Sequence, residues 1–181
     1  MLGDSITVGA KPILELVLTQ MGFSAITIDA EKNRRIESSG GTYGPKAGTA
    51  VATFVVGVGP PPELWVIALG TNDAGQYKDA GEYRAVVDSM LAIIPRAAPL
   101  AWIDTYREDH LAGSELFNRV LREALATRGH AVVGDWYQRC AQPDARILGL
   151  DGVHPNKRGV LVFAETVYLA VRSVMASFPS K

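Results

Sequence analysis

The chain has a single cysteine, Cys140, and only three histidines, His110, His130 and His154. One cysteine excludes an intramolecular disulfide and a cysteine-rich zinc site, and three histidines argue against a histidine-built metal centre. An excess of one charge is also lacking: 18 Lys and Arg face 19 Asp and Glu in 181 residues, a formal net charge of -1. That balance argues against a broad nucleic-acid surface or a polybasic membrane patch. No uninterrupted apolar run reaches the roughly 18 residues of a membrane span, so none is expected. Met1-Leu2-Gly3-Asp4-Ser5 lacks the basic segment and apolar stretch of a secretion signal. A cytoplasmic location is the default, with the cell envelope or the exterior expected instead if residues precede Met1. There is no internal repeat and no low-complexity tract, and one domain over residues 1–181 is the expectation at this length. Nothing in the sequence fixes an oligomeric state.

What is present is a globular composition, 48% hydrophobic and 20% charged, arranged as strands alternating with helices. The spacing of apolar residues predicts helices over residues 11–21, 49–58, 80–94, 114–128 and 157–178. The third is stopped by Pro95, and the fourth is given Ser114 as N-cap and Gly129 just past its end. Strands are predicted over 23–29, 64–69, 100–104 and 131–135. The run Leu64-Trp65-Val66-Ile67-Ala68-Leu69 is continuously apolar, as in a strand covered on both faces. The segment over 49–58 is ambiguous, because Thr53-Phe54-Val55-Val56 also suits a strand. Residues 37–48, rich in Ser and Gly, read as a loop, and Gly59-Pro60-Pro61-Pro62 as a rigid connector. This order implies βαβ units and a parallel sheet. Ligands of such sheets bind at the carboxyl ends of the strands, which directs attention to Ser5, Asn33, Asn72, Tyr106 and Asp135.

Four segments at those ends have the residue types for chemistry. In Gly3-Asp4-Ser5, the serine lies before the first helix, where N–H groups and the helix dipole favour developing negative charge; a plain N-cap serine satisfies the same position. Gly70-Thr71-Asn72-Asp73 follows the buried strand, and the Asn72 amide suits an oxyanion donor, although Gly, Asn and Asp also simply close strands. In Asp151-Gly152-Val153-His154 the carboxylate can accept the imidazole Nδ1–H and leave Nε2 to face a hydroxyl; a turn whose histidine caps a helix has the same composition. Asn33-Arg34-Arg35 has a backbone N–H for an oxyanion and, in Arg34, a cation for an anionic or polyhydroxylated substrate, or is merely a solvated face. Taken together, a serine, an Asp–His pair and an Asn donor on one rim are the parts for acyl transfer through an acyl-enzyme.

These blocks resemble the SGNH hydrolase superfamily, the GDSL lipases and esterases. Gly-Asp-Ser at 3–5, Gly-Thr-Asn-Asp at 70–73 and Asp-Gly-Val-His-Pro at 151–155 match its first, third and fifth blocks in order. The resemblance implies a three-layer α/β/α, flavodoxin-like fold with a five-stranded parallel sheet and no metal or organic cofactor. It implies Ser5 as nucleophile, His154 as base and acid, and Asp151 as its partner. The oxyanion hole would comprise the Ser5 N–H, the Asn72 side chain and an N–H from the second block. There the family's glycine is missing. Asn33 takes its position if residues 29–34 form the post-strand loop, and Asn tolerates left-handed φ; Gly40 or Gly41 is the alternative.

Asp29-Ala30 with Arg34, and the Asp135-Trp136 pair, resemble most the SGNH domains of cell-envelope O-acetyltransferases and carbohydrate esterases. The implied activity is hydrolysis of a short acyl ester, acetyl above all, on a small molecule or glycan, with Arg34 and Tyr106 as candidate substrate contacts. Transfer to a glycan acceptor and lysophospholipase or thioesterase action are the alternatives. So is a non-catalytic carbohydrate-binding domain, because only Met1 and Leu2 precede Gly-Asp-Ser, where the family carries its central strand.

Overall fold

The computed structural model describes residues 1–38, 44–142 and 144–177. Five parallel strands, β1 (Leu2–Gly3), β2 (Asp29–Ala30), β3 (Trp65–Ala68), β4 (Leu100–Ile103) and β5 (Ala131–Gly134), form one sheet in the order β2-β1-β3-β4-β5. Six helices flank it: α1 (Ser5–Gln20), α2 (Gly48–Gly57), α3 (Ala80–Ile93), α4 (Leu111–Ala126), α5 (Trp136–Cys140) and α6 (Lys157–Ala176). The strands divide their residues between two cores with period two. Trp65, Ile67, Leu100 and Trp102 join α2, α3 and α4 on one face. Val66, Ala68, Ala101 and Ile103 join α1, α5 and α6 on the other. Expectation and structure agree on the three-layer α/β/α architecture.

The central strand is present after all, in two residues. Leu2 is in register with Asp29 on one side and Ile67 on the other, and Gly3 with Ala30 and Ala68. Of the two alternatives that the sequence leaves for the first strand, short or missing, it is short. The same shortness explains why the strand expected over 23–29 shrinks to Asp29–Ala30. β2 is an edge strand whose only ladder partner is β1, and β1 offers two residues.

Other boundaries shift for local reasons. α1 begins at Ser5 rather than 11, and Pro12 lies inside it at the loss of one helical hydrogen bond. α4 begins at Leu111, after a 3₁₀ turn over Glu108–His110. Ser114 is therefore buried one turn inside the helix and is not its cap. The ambiguous segment is the helix α2, because Val51, Ala52 and Val55 face the core at helical spacing. The five-residue α5 had no sequence signal. α6 is long and apolar enough, by length and composition, to cross a membrane. Its stripe of Phe163, Val167, Ala170, Val171 and Val174 is buried on the sheet, as in a core helix.

Candidate active site

The carboxyl ends of β1 and β3 and the loop before α6 converge. Asp4 caps α1: its Oδ1 accepts the Ile6 N–H at 3.0 Å. Ser5 is thus the first helical residue, not the cap, and its hydroxyl is left for other work. A side chain at Gly3 would collide with Thr7, its Cβ 2.0 Å from Thr7 Oγ1. Only glycine lets the strand enter the helix this tightly, which fixes where Ser5 points.

His154 Nε2 lies 2.9 Å from Ser5 Oγ, and His154 Nδ1 lies 2.7 Å from Asp151 Oδ2. The other Asp151 oxygen accepts the Val153 and His154 N–H groups, each at 3.0 Å. These bonds, the one to the imidazole first, pull the Asp151 carboxyl down to about 2. Between the two residues, Gly152 has φ +65°, and a Cβ there would strike the Glu108 carboxylate. Asn156 clamps the loop. Its Oδ1 caps α6 at Arg158 and Gly159, and its Nδ2 donates to Arg146 O and Leu148 O. Sequence reasoning passed over Asn156 as a positioning residue, although an Asn before a long apolar helix is the usual cap signal.

The two candidate oxyanion loops are joined directly. Asn72 Nδ2 donates to Arg34 O at 3.1 Å, and Asp73 accepts the Ile36 N–H at 3.2 Å. One amide hydrogen of Asn72 is so engaged, which leaves the second to face a substrate. Asn33 has φ 61°, a left-handed conformation that Asn tolerates better than most residues. Gly40 and Gly41 lie outside the described residues.

Arg34 does not reach substrate. Its side chain is 3% exposed and donates to Lys46 O, Gly3 O, Asp29 O, Asp29 Oδ1 and Glu31 Oε2. It ties β1 to β2 and the following loop, which removes it as a substrate contact. Along 34–36 the backbone alternates, so Arg34 and Ile36 are buried while Arg35 turns outward. Arg35 Nη2 donates to Gln76 Oε1 at 2.8 Å, and its charge also acts on the Asp73 carboxyl. Tyr106 is half-buried, its ring 5.5 Å from that of Tyr137. Asp135 pairs with Arg122 at 2.7 Å. Cys140 is buried, and burial pushes its thiol up. Among the described residues no group of three His, Cys, Asp or Glu side chains is placed to hold a metal.

Three carboxyls lie buried beneath this rim. Desolvation raises Asp4 to about 6, and Asp73 and Asp104 to about 7. Between the ordinary carboxylate range and those values the folded chain holds protons that the unfolded chain has released. Stability therefore falls as pH rises through that window. The Tm is expected to be higher at pH 5 than at pH 8. A higher Tm at pH 8 would mean that these groups fold ionised and paired.

The sequence pattern of the GDSL-like Lipase/Acylhydrolase family matches residues 1–161. No curated protein shows significant sequence similarity to the chain. Among solved structures, the C-terminal catalytic domain of Streptococcus pneumoniae peptidoglycan O-acetyltransferase A, with a methylsulfonyl adduct, superposes with a TM-score of 0.77 at 19% identity, covering 97% of this chain and 92% of that one. A carbohydrate acetylesterase family member from Sinorhizobium meliloti gives 0.70 at 15% identity, covering 97% and 98%. A carbohydrate esterase family 3 protein from Talaromyces cellulolyticus gives 0.68 at 20% identity, covering 98% of each chain. These likenesses establish the fold, and the family pattern, spanning most of the sequence, establishes more: the chain belongs to the GDSL-like lipase/acylhydrolase family, and its class is that of the serine ester hydrolases.

Proposed function

We propose that the protein hydrolyses short acyl esters, acetyl esters of carbohydrates above all, through an acyl-enzyme on Ser5. The observation that carries this reading is the unbroken line of contacts from Ser5 Oγ through His154 to Asp151. Ser5 Oγ attacks the ester carbonyl carbon while His154 Nε2 takes its proton. The charge that develops on the carbonyl oxygen is met by the Ser5 N–H, the Asn33 N–H and the free N–H of Asn72, at the positive end of α1. The tetrahedral species collapses, and His154 returns the proton to the leaving alcohol oxygen. Water then repeats the sequence and releases the acid. Where a sugar hydroxyl takes the place of water, the product is a new ester, and the likeness to an O-acetyltransferase favours testing that branch.

Tyr106, beside Tyr137 on the same rim, is the proposed platform for a sugar ring. A fluorophosphonate probe tests the nucleophile: mass spectrometry should find one adduct, on the peptide holding Ser5. Labelling elsewhere, or none from folded protein, would overturn the reading. Rates for acetyl, butyryl and octanoyl esters should fall with chain length, and a rise beyond butyryl would favour the lysophospholipase or thioesterase alternative. Added glycan acceptor should yield acylated glycan only if the transfer branch operates.

Asn72→Ala is expected to lower kcat by roughly 10²–10³ with KM little changed, the usual cost of one oxyanion donor. A rate near that of the wild type would take Asn72 out of the hole. The neighbouring arginines should separate cleanly. Arg35→Ala should raise KM about five- to tenfold for 4-acetoxybenzoate, leave neutral phenyl acetate unchanged and keep Tm, because the partly exposed guanidinium held by Gln76 is the proposed partner of a substrate carboxylate. Arg34→Ala should instead destabilise the fold by about 1–3 kcal/mol, since it leaves the carbonyls of Gly3, Asp29 and Lys46 without their donor. An unchanged Tm would contradict its structural role.

A further inference from the structure

Beneath the turn that bears Ser5 is a small, partly open pocket of about 10 Å³, bounded by Asp4, Thr71, Asp104, Thr105, Trp136 and Phe163 among other residues, every one of them buried. That is about the room one water molecule needs. Two of its wall residues have polar atoms that are buried and lack a hydrogen-bond partner among the described residues: Asp4 Oδ2, an acceptor, and Trp136 Nε1, a donor. Asp4 is 1% exposed and Trp136 1%. Bulk solvent therefore reaches neither atom. Buried polar atoms are almost always satisfied, by protein or by ordered water. A donor and an acceptor left over on one water-sized cavity point to the same ligand.

We propose that this cavity is a binding site for one ordered water, which accepts the Trp136 indole N–H and donates to Asp4 Oδ2, and that Trp136 thereby acts as a positioning residue for the turn bearing Ser5. The proposal rests on Ser5 being the nucleophile only for its second half. Thr105 Oγ1 donates to Thr71 Oγ1 at 2.9 Å, and the Thr71 hydroxyl in turn faces the Asp4 carboxyl as a donor, so the water would join a chain that already reaches Asp4 from one side. Asp104 is already committed to the Tyr137 N–H and to Arg122.

The mechanism is local. Asp4 Oδ1 holds the first turn of α1 through Ile6, and Ser5 lies between the two. With Oδ2 fixed by a water, the carboxyl cannot rotate about its bond, and the turn has one geometry. The groups that face Asp4 are His154 across the site, Asp73 from the loop after β3, the Thr71 hydroxyl and Asp104 at the end of β4, itself paired with Arg122. Removing the indole donor leaves the water with one anchor fewer. The consequence falls on kcat, because substrate binding does not involve this cavity.

The test is NMR on the ¹⁵N-labelled full chain, which has three tryptophans and so three indole signals. Trp136→Phe identifies the one that belongs to Trp136; if that variant does not fold, Trp65→Phe and Trp102→Phe identify it by elimination. The Trp136 indole proton should show a cross-peak to water and should shift with pH through a midpoint near 6, where Asp4 titrates. Asp4→Asn should abolish that shift. Trp136→Phe should lower kcat about tenfold with KM unchanged. No water cross-peak, or a pH-independent indole signal in the wild type, overturns the water site. An unchanged kcat in folded Trp136→Phe overturns the positioning role. The spectroscopic arms need no activity, so a failure of the Ser5 assignment, read from activity in Ser5→Ala, is recognised separately.

Discussion

Ser5→Ala is expected to lower kcat for p-nitrophenyl acetate by about 10⁴–10⁶, to little more than the contribution of the remaining oxyanion donors. The circular dichroism and Tm should be those of the wild type. Both halves follow from the same geometry. Ser5 is the first residue of α1, but Asp4 does the capping, and among the described residues the side-chain partner of the Ser5 hydroxyl is His154 Nε2. Alanine is a good helix former, so the helix loses nothing on replacement. His154→Ala should cost about as much, because a hydroxyl without its base is a poor nucleophile. The double variant should be no slower than either single one, since the two groups act as a unit and their effects do not add. Full additivity would mean two independent contributions and would argue against a shared proton. Turnover by Ser5→Ala within tenfold of the wild type would remove Ser5 from the reaction.

The parts of this site that were legible in the sequence are those in which a residue type and its place in the chain together dictate geometry. Asp151 and His154 stand three residues apart, a spacing at which one carboxylate can bond both the ring and the backbone of the same turn, and it does. Asn33 could be assigned left-handed φ because few other side chains tolerate it. Arg34 and Arg35 show the limit. Which of two adjacent arginines is buried depends on the phase of the backbone between β2 and the Asp73 anchor, and composition does not encode phase. The two-residue β1 was equally hard to read, since hydrophobic pattern cannot register a strand that short. Its existence depends on partners 27 and 65 positions along the chain, Leu2 with Asp29 and Ile67. Nor was the burial of Asp4, Asp73 and Asp104 visible: aspartates are rarely fully buried, and nothing in the local pattern marks these three.

Asp151→Asn is expected to lower kcat by about 10⁴ while leaving the fold intact. The carboxamide is the same shape, and its oxygen can still accept the Val153 and His154 N–H groups that Asp151 Oδ1 accepts now. Its NH₂ then occupies the place of Oδ2, 2.7 Å from His154 Nδ1. Two donors cannot share that contact, so the ring keeps its lone pair on Nδ1 and its proton on Nε2. A protonated Nε2 cannot accept the Ser5 proton, and the line of transfer is cut without any atom being lost. Asp151→Ala separates tautomer from architecture. It should lose a comparable rate, and also Tm, because two backbone N–H groups lose their acceptor. The Asp151 carboxyl sits at about 2, held down by the imidazole and the two N–H groups, so it stays ionised throughout the pH range of an ester assay. A loss of wild-type rate on acidification above pH 3 therefore does not report protonation of Asp151. In Asp151→Asn the plateau should drop while Tm holds. A plateau within tenfold of the wild type would show that the tautomer is set by something other than Asp151.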